Sequence, residues 1–150
     1  PTKKDEDAGY DIYACFDENM LEIKAHETKL IPTGIASALP KDYYFQIEER
    51  GSTGSKGIKK SAGVIDSGFR GEWFIAITNT NSFPVVIVKE EGIAEAAVTH
   101  KDALIYPYEK AIAQAVLHRV PRATVTEISY DELKRIKSER GTNMLGSSNK

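Results

Sequence analysis

The sequence predicts an all-β protein, an antiparallel sandwich or barrel, on three observations. From Leu21 to Val125 short segments rich in Val, Ile, Tyr and Phe are broken every several residues by Gly, Pro, Asn or Asp. The turns between these segments leave little room for helical crossovers, so neighbouring strands are expected to run antiparallel. At 150 residues, 41% hydrophobic and 28% charged, the chain has apolar content for one domain core.

Taken in order, Ala8 to Cys15 reads as a strand in which Ile12 and Ala14 share one face and Asp11 takes the other. Cys15, the only cysteine, reads as a small core residue. Leu30–Ile35, Tyr43–Ile47, Trp73–Thr78, Val85–Val88 and Ala113–Leu117 are the clearest further strands. Val64 and Ile65 read as a buried strand, Ser67 and Gly68 as a turn, and Phe69 with Trp73 to Ile77 as the returning arm of a hairpin. One helix or turn is expected near the end, where Ser129-Tyr130-Asp131-Glu132 has capping-box spacing and Leu133 and Ile136 form an apolar stripe before Arg140-Gly141. Residues 141–150 are small and polar with little to bury, which predicts a mobile tail.

A net charge of −2 gives no global attraction to nucleic acid or to an anionic membrane, so a polyanion must be met by a local cation cluster. A small ligand is expected. No apolar run is long enough to cross a bilayer and no secretory leader opens the chain, as expected of a soluble cytoplasmic protein. One cysteine and three scattered histidines supply neither a disulfide nor zinc-ligand spacing.

Two stretches carry chemistry. In Gly63-Val64-Ile65-Asp66-Ser67-Gly68-Phe69-Arg70-Gly71-Glu72-Trp73 a carboxylate stands where an apolar strand becomes a glycine turn, and Gly63, Gly68 and Gly71 allow close approach to the main chain. Alone, Asp66 also reads as a turn aspartate capping its own loop. In Arg50-Gly51-Ser52-Thr53-Gly54-Ser55-Lys56, two cations flank glycines and small hydroxyls whose amides and side chains can wrap phosphate oxygens. Alone, this block also reads as a flexible basic loop.

With Ala8-Gly9-Tyr10-Asp11-Ile12-Tyr13-Ala14, Ala111-Ile112-Ala113-Gln114, and Arg140-Gly141 through Gly146-Ser147-Ser148, these make five ordered blocks. The chain resembles the homotrimeric dUTP diphosphatases from Ala8 almost to its end. The resemblance implies a jelly-roll-like β-barrel or sandwich (β-clip) over residues 1–139 and a flexible lid over 140–150. It implies hydrolysis of dUTP to dUMP and pyrophosphate, with Mg²⁺ on the triphosphate and three sites each shared between subunits. By it, Asp66 activates the water attacking the α-phosphorus. Arg50, Gly51 through its backbone, Ser52, Lys56 and Gln114 lie against the phosphates, and Asp11 holds Mg²⁺ through water.

Gly63, Val64 and Ile65 read uracil through main-chain groups, and Phe69, where the family usually has Tyr, packs under the deoxyribose. As an alternative, Phe69 suits an ordinary core aromatic. Arg140 clamps the γ-phosphate, and Leu145, Gly146, Ser147 and Ser148 form the end of the lid, with Leu145 in place of the family's stacking Phe. Further departures stand at Gly51, where the family usually has Ser, and at Ala111, where it commonly has Arg. The family's strand before the first block is missing, which is compatible with a trimmed N-terminus.

Two alternatives remain. The related dCTP deaminases share the Arg50 loop and the Ile65–Phe69 pattern, but their proton-shuttling Glu falls where this chain has Ala76. The other is a regulatory protein-binding module on the same fold. The stretch between Asp66 and Gln114 is longer than the family norm, and the surplus falls at 88–108, with charges at one end and Ile105-Tyr106-Pro107-Tyr108 at the other. It reads as an interaction arm for a protein partner, with exposed aromatics, or as a longer hairpin.

Overall fold

The computed structural model describes residues 1–142. Ten strands alternate with few helical turns: β1 Gly9–Ile12, β2 Met20–Ile23, β3 Thr28–Pro32, β4 Tyr43–Glu48, β5 Ile58–Lys60, β6 Val64–Ile65, β7 Phe74–Asn79, β8 Val85–Val88, β9 Leu104–Pro107 and β10 Ala113–Arg119. The helices are α1 Gly51–Gly54, α2 Ile93–Thr99 and α3 Tyr130–Arg135. The strands form three sheets in the orders β1-β10-β4-β6, β2-β8-β9 and β3-β7-β5. This is the all-β sandwich class that the strand pattern predicts.

Strand β10 alternates inward and outward residues, whereas β8 is buried along its whole length, and buried residues of all three sheets form one core. Ile12, Ile23, Ile31, Ile47, Ile75 and Val85 are essentially inaccessible. Asn79, also fully buried, donates from Nδ2 to the carbonyls of Ile23, Lys24 and Phe83 and accepts from the Asn81 amide at Oδ1. It thereby satisfies backbone groups of two turns that would otherwise be buried unpaired.

Several expectations are corrected. Val64 and Phe74 are not arms of one hairpin: β6 pairs with β4, whereas β7 pairs with β3 and β5. Ile65 lies opposite Phe45 in the first sheet, while the Trp73 amide donates to the Ile35 carbonyl beside the third. The Asp66 segment therefore passes between sheets instead of reversing within one. Val64 is 59% exposed, since β6 is an edge strand and Val64 faces outward. Cys15 is exposed, because alternation turns Ala14 and Phe16 inward on either side of it. The Arg50 block is not a loop throughout but includes the turn of helix α1, with Thr53 buried and its hydroxyl donating to the Arg50 carbonyl.

The 88–108 surplus is neither a hairpin nor an arm with exposed aromatics. A 3₁₀ turn, Glu90–Gly92, and α2 link β8 to β9, which pair in parallel. Ala96 packs on Val86 and Val88. Tyr106 is 1% exposed and Tyr108 is half-buried. Parallel pairing needs a crossover of some length, and the surplus residues supply it.

The chain divides into two units, Pro1–Val120 and Pro121–Lys150. In the second, the Ser129 hydroxyl accepts from the Glu132 amide and the Glu132 carboxylate accepts from the Ser129 amide, the reciprocal cap that the spacing predicts. The Ser129 amide and hydroxyl, both donating to Glu132 Oε2, hold the Glu132 carboxyl below its ordinary pKa. The helix ends at Ile136, before Arg140-Gly141, and Leu133 and Ile136 are exposed. No helix among the described residues is long and apolar enough to cross a membrane.

Candidate functional site

Sheet register, not proximity in sequence, gathers the first group of site residues. Asp11 on β1 lies directly opposite Gln114 on β10, and Gln114 opposite Glu48 on β4, so these three share one outward row. Beyond β4 the chain enters α1, and Arg50 turns back over this row. Its Nε lies 2.8 Å from Asp11 Oδ1 and its Nη2 donates to Oδ2 at 3.0 Å, a two-pronged ion pair. Nη1 donates to Ser52 Oγ at 3.2 Å and to the Ala111 carbonyl at 3.4 Å. Gln114 Nε2 donates to the Glu49 carbonyl at 2.8 Å, which leaves its amide oxygen facing outward from that contact.

Around these groups lies a polar cleft of about 500 Å³ lined by Lys4, Asp7, Ala8, Gly9, Asp11, Arg50, Gly51, Ser52 and Gln114. Lys56 is exposed outside this lining, its Nζ 5.7 Å from the Tyr106 ring centroid. The first-turn amides of α1, which a helix leaves without intrahelical partners, belong to Gly51 and Ser52 at the cleft wall. Arg50 and Asp11 are each about 30% exposed, so water screens their pairing and its value is in aiming the guanidinium more than in stability.

Three contributors were not singled out from the sequence as site residues. Tyr106 Oη donates to the Ala111 carbonyl at 2.7 Å beneath Arg50, and burial raises its pKa while the Arg50 charge opposes that rise. Its signal, an aromatic within the surplus segment, pointed to a surface instead. Lys4 and Asp7 enter from the charged run before Ala8, where the Lys4 amide donates to Asp7 Oδ2. Ala111, a departure in side chain, participates through its carbonyl, which any residue provides.

The second group lies at the other edge of the same sheet. Val64, Ile65, Asp66, Phe69, Glu72, Trp73 and Phe74 line a cleft of about 300 Å³ with mostly apolar walls, and it shares no residue with the first. Asp66 stands at the end of β6, and its carbonyl accepts from the Phe69 amide at 3.1 Å. Its carboxylate is exposed and has no hydrogen bond or ion pair among the described residues, so it does not cap its own loop. The Phe69 ring lies over Gly71, where a Cβ would come within 2.7 Å of ring Cζ; Phe69 is 42% exposed rather than a core aromatic. Gly63 is held where a Cβ would meet Gln46 Nε2 at 2.8 Å and the Ile47 carbonyl at 3.2 Å, and its own carbonyl accepts from the Ile47 amide.

The edge strands β1 and β6 are separated by three strand spacings, about 14 Å at the usual 4.7–4.9 Å each. No group of three or more potential ligands from His, Cys, Asp and Glu occurs among the described residues. Asp11 offers a single carboxylate already held by Arg50, a donor suited to a metal's bound water and not to a closed protein cage. Arg140 belongs to the second unit and is not without a partner. Leu145, Gly146, Ser147 and Ser148 lie outside the described residues.

Comparison with known proteins gives a consistent result. The deoxyuridine 5′-triphosphate nucleotidohydrolase of Leptospira interrogans is 34% identical over 94 residues, 61% of this chain and 64% of that protein, so the chain spans less than two thirds of that relative. The enzyme of that name from Rickettsia bellii is 33% identical over 113 residues, covering 73% of this chain and 75% of its own. Among solved structures, the Staphylococcus bacteriophage 80alpha dUTPase with dUPNHPP has a TM-score of 0.71 at 22% identity, covering 100% of this chain and 90% of that one. A mutant dUTPase of S. aureus phage phi11, described with a structural Mg(II) ion, has a TM-score of 0.66 at 20% identity over 88% of this chain and 90% of that one. At such identities the structures speak to fold alone. A family model described as dUTPase matches residues 1–119, which takes in the Asp11, Arg50, Asp66 and Gln114 blocks in their order. The chain belongs to the dUTPase family.

Proposed function

We propose that the protein hydrolyses dUTP to dUMP and pyrophosphate. Asp66 accepts a proton from a water molecule as the water oxygen bonds to the α-phosphorus, and the bond from that phosphorus to the bridging oxygen breaks, so pyrophosphate departs with that oxygen. The observation that carries this reading is the unpartnered Asp66 carboxylate at a strand end beside exposed main chain, in a member of this family. A buried or paired acid would have to break a contact before taking a proton; this one does not. Gly63 to Ile65 would read the uracil edge by main-chain hydrogen bonds, with Phe69 against the sugar. Arg50, Gly51, Ser52, Lys56 and Gln114 would neutralise and hold the phosphates, with Arg140 and the 140–150 lid added on the family resemblance.

Mg²⁺ fits the donor set only in its outer shell: the phosphates would bind the ion, and Asp11 would hold one of its waters. The ion supplies charge neutralisation on the triphosphate when bound.

A site shared between subunits of a homotrimer follows from the same reading. An acid must come within hydrogen-bond reach, about 2.6–3.2 Å, of the water it activates, and that water sits beside phosphate oxygens gripped by the cations. The antiparallel register of β4 and β6 sets Asp66 beside Tyr44, while Arg50 lies just past the other end of β4, about 20 Å further along at the usual strand rise, so one copy does not bring Asp66 and Arg50 to one phosphate. A second copy presenting the opposite edge does.

The experiment measures pyrophosphate release from dUTP, dCTP, dTTP and UTP with Mg²⁺, for the wild type, Asp66→Asn, Arg50→Ala and a one-to-one mixture of the two variants refolded together. Release from dUTP alone, lost in each variant and restored in the mixture to about one quarter of wild type by random assembly, is the expected result. Ammonia from dCTP would favour deaminase chemistry, although Ala76 on β7 offers no proton-shuttling group. The protein-binding alternative draws on α2, whose Ile93 and Val98 are 52% and 69% exposed, and retention of a partner without turnover of any nucleotide would establish it.

A further inference from the structure

We propose that Arg70 is a positioning residue for Asp66, a role that rests on the function proposed above. The Asp66 carboxylate has no partner among the described residues, so its placement depends on how its loop is held. The far end of that loop is well anchored. Glu72 Oε1 accepts from the amides of Thr33 and Gly34, at 3.1 and 2.9 Å, the Thr33 hydroxyl donates to the Trp73 carbonyl at 2.7 Å, and the Trp73 amide donates to Ile35. Gly34 makes this bracket possible because its φ of +66° lies in the left-handed region, where other residues are strained.

Between Asp66 and this anchor, residues 67–71 have, among the described residues, one side chain that binds the main chain. Arg70 Nη1 donates to the Ser67 carbonyl at 2.7 Å, to the Phe69 carbonyl at 3.0 Å, and across to the Ser37 carbonyl at 3.3 Å. The first two contacts curl the turn upon itself, and the third ties it to the same Thr33–Ser37 segment that Glu72 holds. A guanidinium suits this task, being planar, permanently charged and able to serve several carbonyls. The Phe69 ring, folded over Gly71, closes the turn on its other side. Arg70 thus acts on the acid through the backbone, with no contact to the Asp66 carboxylate.

The test combines amide hydrogen exchange with kinetics on the full chain, for the wild type, Arg70→Gln and Arg70→Lys. In Arg70→Gln, exchange over residues 66–71 is expected to quicken about tenfold while β3 and β7 stay within about twofold. Its kcat for dUTP should fall about 10–100-fold at a KM within about threefold of wild type, as for a misplaced catalytic group. Arg70→Lys, which keeps a charged donor, should recover part of both. Unchanged exchange over 66–71 would overturn the proposal, as would faster exchange spread evenly over β3 and β7. A raised KM at unchanged kcat would make Arg70 a substrate ligand and overturn it equally. If the wild type turns over no dUTP, the functional reading fails, and the exchange data still decide whether Arg70 holds the loop.

Discussion

The two edges of the first sheet carry opposite kinds of chemistry. At the β1 edge, charges are already matched: Arg50 grips Asp11 with two prongs, leans on Ser52 and Ala111, and rests above Tyr106. At the β6 edge, one carboxylate stands unmatched beside Val64, Phe69 and Phe74. On the proposed function, the cation that holds phosphates is kept in place by a preformed network, whereas the acid that takes a proton has no partner among the described residues. Binding and proton transfer therefore ask different things of their surroundings, and the sheet separates them.

The largest expected effect is at the unmatched acid. Asp66→Asn should lower kcat for dUTP about 10²–10⁴-fold, the usual worth of a positioned base, with thermal stability unchanged because the carboxylate has no hydrogen bond or ion pair among the described residues. A drop in Tm would show a structural role that the contacts do not contain. At the matched edge the expected effect is smaller. On the proposed function, Arg50→Ala removes charge-assisted bonds to phosphate of about 1.5–3 kcal/mol, so kcat/KM should fall about 10–150-fold, with only a small loss of stability because water screens its pair with Asp11. Combining it with Asp11→Asn should cost less than the two separate losses summed, since the residues act as one unit.

Gly63→Ala tests the main chain beside Asp66. The added methyl would press on the Gln46 side chain and the Ile47 carbonyl, costing about 1–2 kcal/mol of stability and disturbing the backbone proposed to read uracil. A neutral result by calorimetry would mean that the strand yields more easily than its spacing implies.

Tyr106→Phe, beneath the matched edge, should cost about 1 kcal/mol through the lost bond to Ala111. The folded-state pKa of Tyr106 lies above its ordinary value near 10, chiefly through burial, so the fold favours the protonated phenol. Its contribution is complete below the unfolded value and declines as pH climbs through the folded one. Urea titrations at alkaline pH should thus show wild-type stability falling more steeply than that of Tyr106→Phe.

The sequence by itself determined the β class, because strand alternation and turn residues are local properties, and it determined the α3 cap at Ser129 and Glu132 for the same reason. It also marked Asp66 and Arg50, since an acid after an apolar strand and cations around glycines are legible without neighbours. Tertiary structure alone decided which strands meet. The expected hairpin dissolved because Ile65 finds Phe45 in one sheet while Trp73 reaches Ile35 beside another, partners distant in sequence that no local pattern announces. The same holds for Tyr106, whose aromatic ring reads alike in a surface arm and in a core; only the parallel pairing of β8 with β9 carries it under Arg50. Side-chain chemistry is written residue by residue, but burial and partnership are long-range quantities, and they separated the matched edge from the unmatched one.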